Sequence, residues 1–387
     1  MTKVAYLSSY APRECGIATF TENLTSNINS LHILGPAVII AVNEAESYYS
    51  YGSEVAYQID EEDKKSYIET AHQINDSDLD LVNVQHEFGL FGGVWGNYLL
   101  TFLDNLEKPI VTTMHTTLSP DSRRLKSLGE VATHNKMVKE IGKKSSAIVV
   151  MTQMAADILQ NGYGVDANKI RIIPHGCPSM PFVPSDHEKK ELGLEDRLVL
   201  STFGLLSRDK GIQNAIKALP DLTRDWPEIL YLVIGETHPQ VRLREGERYR
   251  KRLMKLVKHL GLRKNVKFHN RFLSEDKLIK YLLATDVYIC PYTKKDQLSS
   301  GTVTYALGAG RAIVSTPFNY AQEVLGEGRA VLCKFRSPGS ITKAVRSLLE
   351  DPEKKARIEK LAYDYSRSMT WPSVASSYVS LFEQVVQ

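Results

Sequence analysis

Several polar stretches in this sequence directly follow apolar runs, and they carry residue types that bind or polarise ligands. Val84-Gln-His-Glu-Phe-Gly sets His86 and Glu87 at the end of one run. Val111-Thr-Thr-Met-His-Thr-Thr repeats the arrangement with His115. An imidazole in such a place can hydrogen-bond or polarise a bound group, and a buried histidine held by its neighbours is the other reading of His86. Phe203-Gly-Leu-Leu-Ser-Arg-Asp-Lys-Gly-Ile places Arg208 and Lys210 just ahead of a helical pattern. Two cations beside a helix N-terminus suit a diphosphate, with a solvated basic turn as the alternative. Farther on, Ser299-Ser-Gly301 separates an apolar run from a small-residue helix, so its backbone N–H groups and hydroxyls could cradle a phosphate. Gly16 ends a polar loop immediately before a helix and lets backbone approach a phosphate or sugar, although an ordinary strand–helix turn reads equally well. Ile234-Gly-Glu-Thr and Phe268-His-Asn-Arg271 offer polar backbone for a nucleobase. No HxxxH or CxxC spacing occurs, so no metal site is assigned.

The elements that must position these residues follow from hydrophobic periodicity. Short apolar runs at 4–8, 38–42, 81–85, 110–114, 147–151 and 170–174, then at 198–203, 230–235, 266–268, 287–290, 312–315 and 330–333, suit parallel strands buried on both faces. Amphipathic segments such as 21–29, 212–219, 249–260 and 341–349 suit the connecting helices. Cys177-Pro-Ser-Met-Pro-Phe-Val-Pro interrupts the alternation and marks a linker. The reading is α/β: two doubly wound domains, 1–176 and 191–370, a linker at 177–190 and a C-terminal helix at 371–387 packing back on the first domain. In such sheets ligands bind outside the carboxyl ends of the strands, and two facing domains would hold the main ligand in a cleft.

Composition limits the remaining classes. At 387 residues the chain is long for one core, and its 43% apolar and 24% charged residues are those of a globular protein. The four cysteines are far apart, which fits a reducing compartment. The N-terminus reads as a strand, not a signal peptide, and no apolar run is long enough to span a bilayer, so a cytoplasmic location is expected. GxGxxG is absent from the first strand–helix turn, which removes the dinucleotide fingerprint. The basic run 242–258 has apolar residues at helical spacing and a single aromatic, so it reads as a solvated helix face and nucleic acid is not an expected partner. A basic helix over 123–144 could touch anionic lipid, but a solvated face is preferred.

The order of these motifs resembles a GT-B-fold glycosyltransferase of family 4, the large group 1 class that is retaining and uses nucleotide sugars. The resemblance covers nearly the whole chain. It rests on the Gly16 loop, His115, Ile172-Ile-Pro-His-Gly176, Gly204-Leu-Leu-Ser-Arg-Asp-Lys-Gly211, Gly235 and Tyr305-Ala-Leu-Gly-Ala-Gly-Arg-Ala-Ile-Val-Ser-Thr316. It implies two Rossmann-like domains facing across a cleft. It also implies that Gly16 approaches the donor phosphate, that His115 contacts the transferred sugar, and that Arg208 and Lys210 neutralise the diphosphate. By the same resemblance Ser299, Ser300 and Gly301 bind phosphate, the backbone around Arg271 holds the base, and His86 and Glu87 lie near sugar or acceptor. The chain departs from the family in two ways. Leu205 stands where an arginine is usual, and Gln297 and Tyr305 stand where a pair of glutamates is usual, the first near the sugar and the second at the ribose. The implied reaction moves a mannose- or glucose-type hexose from a GDP- or UDP-linked donor, GDP-mannose slightly preferred, to a hydroxyl of a sugar or glycoconjugate. No metal or other cofactor is implied. A phosphorylase or epimerase on the same fold, and a non-catalytic nucleotide-sugar-binding protein, are the alternatives.

Overall fold

Among the described residues thirteen strands form two separate sheets, and every strand pairing is parallel. The computed structural model describes residues 1–44, 47 and 49–387. They divide into one unit of Met1–Gly176 with Trp371–Gln387 and a second of Cys177–Thr370.

In the first unit the strands are β1 (Val4–Ser8), β2 (Val38–Asn43), β3 (Val55–Asp60), β4 (Leu81–His86), β5 (Ile110–Met114), β6 (Ala147–Val150) and β7 (Ile170–Ile172). Between them run helices α1 (Gly16–Leu31), α2 (Lys64–Asn75), α3 (Leu99–Asn105), α4 (Leu128–Lys144) and α5 (Gln153–Asp157). The central strands β1, β4, β5 and β6 are buried along their whole length, as continuous apolar runs require when helices cover both faces. Strand β3 was absent from the reading of apolar runs. It is the sheet edge, and Val-Ala-Tyr-Gln-Ile-Asp alternates between partly covered and exposed positions. The basic helix expected over 123–144 begins only at Leu128, where the Ser127 hydroxyl caps it by accepting from the Glu130 N–H.

In the second unit the strands are β8 (Leu198–Phe203), β9 (Ile229–Ile234), β10 (Val266–His269), β11 (Val287–Cys290), β12 (Ala312–Ser315) and β13 (Val331–Leu332). Its helices are α6 (Asp186–Leu192), α7 (Ile212–Asp225), α8 (Pro239–Glu245), α9 (Arg248–His259), α10 (Glu275–Leu283), α11 (Gly301–Gly308), α12 (Asn319–Val324), α13 (Pro338–Leu349) and α14 (Pro352–Tyr365). The basic run 242–258 is not one helix: Gly246, at φ 57°, ends α8 and α9 starts afresh. The proline-rich residues 177–190 lie inside this unit, where Arg311 donates to the Val183 carbonyl at 2.6 Å and the Tyr363 hydroxyl donates to the Met180 carbonyl at 3.0 Å.

The last helix, α15 (Trp371–Val386), belongs to the first unit and packs on α1. Its Trp371 ring fills the space beside Gly176, where an added Cβ would lie 2.1 Å from the ring.

Sheet order decides where a ligand can sit. The first sheet runs β3-β2-β1-β4-β5-β6-β7 and the second β10-β9-β8-β11-β12-β13. Connections reverse direction between β1 and β4 in one, and between β8 and β11 in the other. At such a reversal the helices leave to opposite faces, which opens a crevice at the carboxyl ends of the two strands. The loops carrying Gly16 and His86 flank the first crevice, and those carrying Lys210 and Ser300 flank the second.

Candidate active site

In the second unit, the crevice is built around a lysine. Lys210 leaves the loop after β8 and its ammonium donates to the hydroxyl of Tyr292, just beyond β11. The same ammonium lies 4.0 Å from the centre of the Tyr292 ring, whose burial raises the hydroxyl's pKa. Tyr292 in turn shares a 2.7 Å hydrogen bond with Thr302, and Thr302 one of 3.2 Å with Ser300. Ser300 caps α11, its hydroxyl accepting from the Val303 N–H at 3.4 Å. The fold therefore brings a cation, three hydroxyls and a helix N-terminus together at one strand end. That combination suits an anion.

Arg208 does not join this group. Its guanidinium makes a bidentate pair with Glu245 at 3.2 and 2.6 Å, and half of the side chain is exposed. The two cations expected side by side thus point to different partners. The Gln297 amide, half-buried, donates to the Ser299 carbonyl at 2.8 Å and folds the loop entering α11. Gly301 is the first residue of that helix.

The neighbouring strand ends are held by a buried arginine. Arg250 donates to the Gly235 carbonyl at 3.1 Å and to Glu247 at 3.0 Å, and it also bonds Asn270. The expectation that the 242–258 charges all form a solvated face fails at this residue, which is 5% exposed. Gly235, at φ 135°, passes so close to Gly204 that a Cβ would lie 2.3 Å from the Gly204 carbonyl oxygen. Arg271 is exposed in the loop before α10. Tyr305 is buried, and its hydroxyl donates at 2.8 Å to Glu275 in the first turn of α10. A carboxylate therefore stands beside Tyr305, supplied by a different element.

In the first unit, His86 ends β4 fully buried, edge-on to Phe88 and stacked on Phe91, and burial pushes its pKa down to about 3. Neither ring nitrogen has a hydrogen-bond partner among the described residues. Glu87 accepts from the Thr116 hydroxyl at 2.6 Å and from the Phe88 N–H at 3.0 Å, and burial raises its carboxyl pKa. His115 lies just past β5, edge-on to Phe20 at 4.6 Å, with its Nε2 2.8 Å from the Gln85 Oε1. Burial, then His175 and His86, depress its pKa to about 3, so the imidazole is neutral. Gly16 is the first residue of α1. A Cβ there would meet nothing within 4 Å, and Cys15 before it supplies no side-chain cap. Packing gives no reason for that glycine; its effect is to leave the α1 N-terminus uncovered.

A shallow hollow of about 360 Å³ lined by Lys189, Arg197 and Asp286 opens at the amino ends of β8 and β11, on the edge of the sheet opposite the cradle.

Two family models account for most of this chain. Residues 184–365 match glycosyl transferases group 1, and residues 64–178 match glycosyltransferase family 4. The chain belongs to the group 1 glycosyltransferases. It is 27% identical over 255 residues to an uncharacterised glycosyltransferase of Methanocaldococcus jannaschii, covering 64% of this chain and 61% of that protein. It is 26% identical to spore coat protein SA of Bacillus subtilis, covering 51% of each. It is 23% identical to the D-inositol 3-phosphate glycosyltransferase of Paenarthrobacter aurescens, covering 80% and 76%. The matches thus span only about half to three-fifths of the first two relatives. Anabaena HepE in complex with UDP-glucose superimposes with a TM-score of 0.74 at 16% identity, covering 99% and 100% of the two chains. Sucrose-phosphate synthase from Thermosynechococcus elongatus gives 0.77 at 14%, covering 99% of each. At such identities the likeness shows the GT-B fold and leaves chemistry to the site.

For a group 1 glycosyltransferase, sequence reasoning reached the strand ends but missed the side chains that orient them. Tyr292, Thr302, Arg250, Glu275, Asn83 and Gln85 were not singled out. The last two had a signal: polar residues at alternate positions inside an apolar strand, Leu-Val-Asn-Val-Gln-His. Glu275 had none, because its relation to Tyr305 arises only from folding. Among the described residues no helix is long and apolar enough to cross a membrane.

Proposed function

We propose that this protein transfers a hexosyl group from a nucleoside diphosphate sugar to a hydroxyl of a carbohydrate or glycoconjugate, with retention of anomeric configuration. The observation that carries the proposal is the cradle of Lys210, Tyr292, Thr302 and Ser300 at the N-terminus of α11. A diphosphate leaving group gains negative charge as the anomeric C–O bond breaks, and a fixed ammonium beside a helix N-terminus stabilises it in the transition state more than in the ground state. In the retaining step, the acceptor oxygen bonds to the anomeric carbon on the face the diphosphate leaves. The acceptor proton passes to a phosphate oxygen, so no enzyme carboxylate is needed as nucleophile.

Arg250 steadies the Gly235 and Asn270 loops against which the base would lie. Glu275, held by Tyr305, supplies a carboxylate for the ribose diol. Gln297 offers an amide to a sugar hydroxyl. The uncovered N-terminus of α1 at Gly16 and the strand ends at His86, Glu87 and His115 would serve the sugar and the acceptor. Both GDP-mannose and UDP-glucose are candidate donors; UDP-glucose is the ligand of the HepE structure. The test is incubation with a panel of nucleotide sugars and acceptors, with the anomeric configuration of the product read by NMR. An inverted product would sink the retaining step, and donor binding without turnover under any acceptor would favour a non-catalytic binding protein.

A further inference from the structure

The polar residues inside β4 bear on which nitrogen of His115 carries the proton. Asn83 and Gln85 sit at alternate positions of that strand, both with no exposure. Their amides therefore depend on protein partners, since an unpaired polar group at such a site is destabilising. The Asn83 Nδ2 lies 2.9 Å from the Val111 carbonyl oxygen and 3.4 Å from the Thr113 hydroxyl. A backbone carbonyl can only accept, so the orientation of the Asn83 amide is set by the main chain of β5. Its Oδ1 then faces Gln85 and accepts from Nε2 at 2.6 Å. That leaves the Gln85 Oε1 facing the His115 Nε2 at 2.8 Å. An amide oxygen also only accepts, so this contact is a hydrogen bond when the imidazole hydrogen is on Nε2.

The chain of bonds is anchored at its far end as well. Thr113 shares a 2.9 Å hydrogen bond with Tyr378 of α15, so the terminal helix of the same unit braces the strand beside Asn83. Among the titratable side chains near the ring, His175 and His86 depress its pKa. Both are themselves held neutral by burial, with pKa values near 4 and 3, so neither supplies a charge that would reverse the assignment.

We propose that Asn83 and Gln85 are positioning residues that lock His115 in its neutral Nε2–H tautomer. With that tautomer Nδ1 is the accepting atom of the ring, so toward a hydroxyl of a bound sugar it accepts a hydrogen bond instead of acting as a proton donor. This rests on the glycosyltransferase reading only in naming the sugar; the tautomer itself is a property of the ligand-free protein.

The test is ¹⁵N NMR of the full chain labelled at histidine, in which a protonated and an unprotonated ring nitrogen have well-separated shifts. The expected spectrum shows Nε2 protonated and Nδ1 unprotonated at neutral pH. An Nδ1–H tautomer, or a rapidly averaged pair, would overturn the proposal. Gln85→Glu keeps an acceptor in place and adds a negative charge, so His115 should stay Nε2-protonated and titrate at a higher pH than in the wild type. Gln85→Leu should average the two tautomers and lower kcat by about 10- to 100-fold, the range for losing one orienting hydrogen bond, with KM for the donor changed far less. If Gln85→Leu does not fold, the wild-type and Gln85→Glu spectra decide the question alone. Addition of UDP-glucose or GDP-mannose should shift Nδ1 and leave Nε2 in place. A donor that binds without moving Nδ1 removes the contact with the sugar. If neither donor binds, the functional reading fails while the tautomer result stands.

Discussion

Lys210 and Arg208 are two residues apart, but the fold gives them different surroundings, and this sets their expected contributions. Lys210→Met should weaken binding of a nucleoside diphosphate by about 10- to 100-fold, the scale of one hydrogen bond to a charged group. Arg208→Met should change it by less than about threefold, because its exposed guanidinium already serves Glu245. Calorimetric titration with UDP and GDP checks the order, and the reverse order would put the phosphate at Arg208. His86 makes a separate prediction. Its folded pKa is about 3 against 6.5 unfolded, so the unfolded chain binds the extra proton as pH falls below about 6.5. The stability contributed by the neutral ring is complete above that pH and is lost at roughly 1.4 kcal/mol per pH unit below it, down to the folded pKa. Glu61, raised to about 7 chiefly by burial, acts in the opposite sense between its unfolded value and 7, so the wild-type curve alone is a sum. The comparison to make is with His86→Phe: between pH 6.5 and 4.5 its melting temperature should fall less steeply than that of the wild type. Parallel curves would contradict the depressed pKa. At this scale the sequence showed where reactive side chains stand, since His86, Glu87, His115 and Lys210 all follow apolar runs. It did not show their partners, because the contacts of Lys210 with Tyr292 and of Tyr305 with Glu275 join residues 82 and 30 positions apart.

Helix α1 and its glycine separate function from packing at the level of the element. Gly16 opens the helix in free space, so Gly16→Ala costs nothing sterically and improves helix propensity by up to about 1 kcal/mol. The variant should melt at or above the wild-type temperature while losing transferase activity, as shown by thermal denaturation and initial rates on one preparation. A lower melting temperature with unchanged activity would make the glycine an ordinary turn residue. Most strands were legible because burial on both faces demands continuous apolar runs, and β1, β5, β8, β11 and β12 match those runs end to end. Strand β3 was not, because an edge strand needs only one covered face and its alternation is diluted by exposed Ala56 and Gln58. The break at Gly246 was also hidden, since both halves of the basic run have helical periodicity and only the positive φ separates them.

For the molecule as a whole, two sheets with the same kind of reversal give two sites of different character. The first unit offers neutral, buried imidazoles and a carboxyl group. The second offers a cation, hydroxyls and a helix N-terminus. The first set of groups suits neutral sugar hydroxyls, and the second suits an anionic leaving group. The strand alternation on either side of residue 177 pointed to two sheets, and α15, the helix that the sequence reading placed on the first domain, packs there on α1. The central claim is that the Lys210 cradle stabilises a departing nucleoside diphosphate. The most direct test is nucleotide release from GDP-mannose and UDP-glucose, measured with wild-type protein and Lys210→Met across a set of sugar acceptors. The account predicts acceptor-dependent release by the wild type from at least one donor and its loss in Lys210→Met. Release that persists unchanged in the variant, or no release by the wild type under any acceptor, would contradict it.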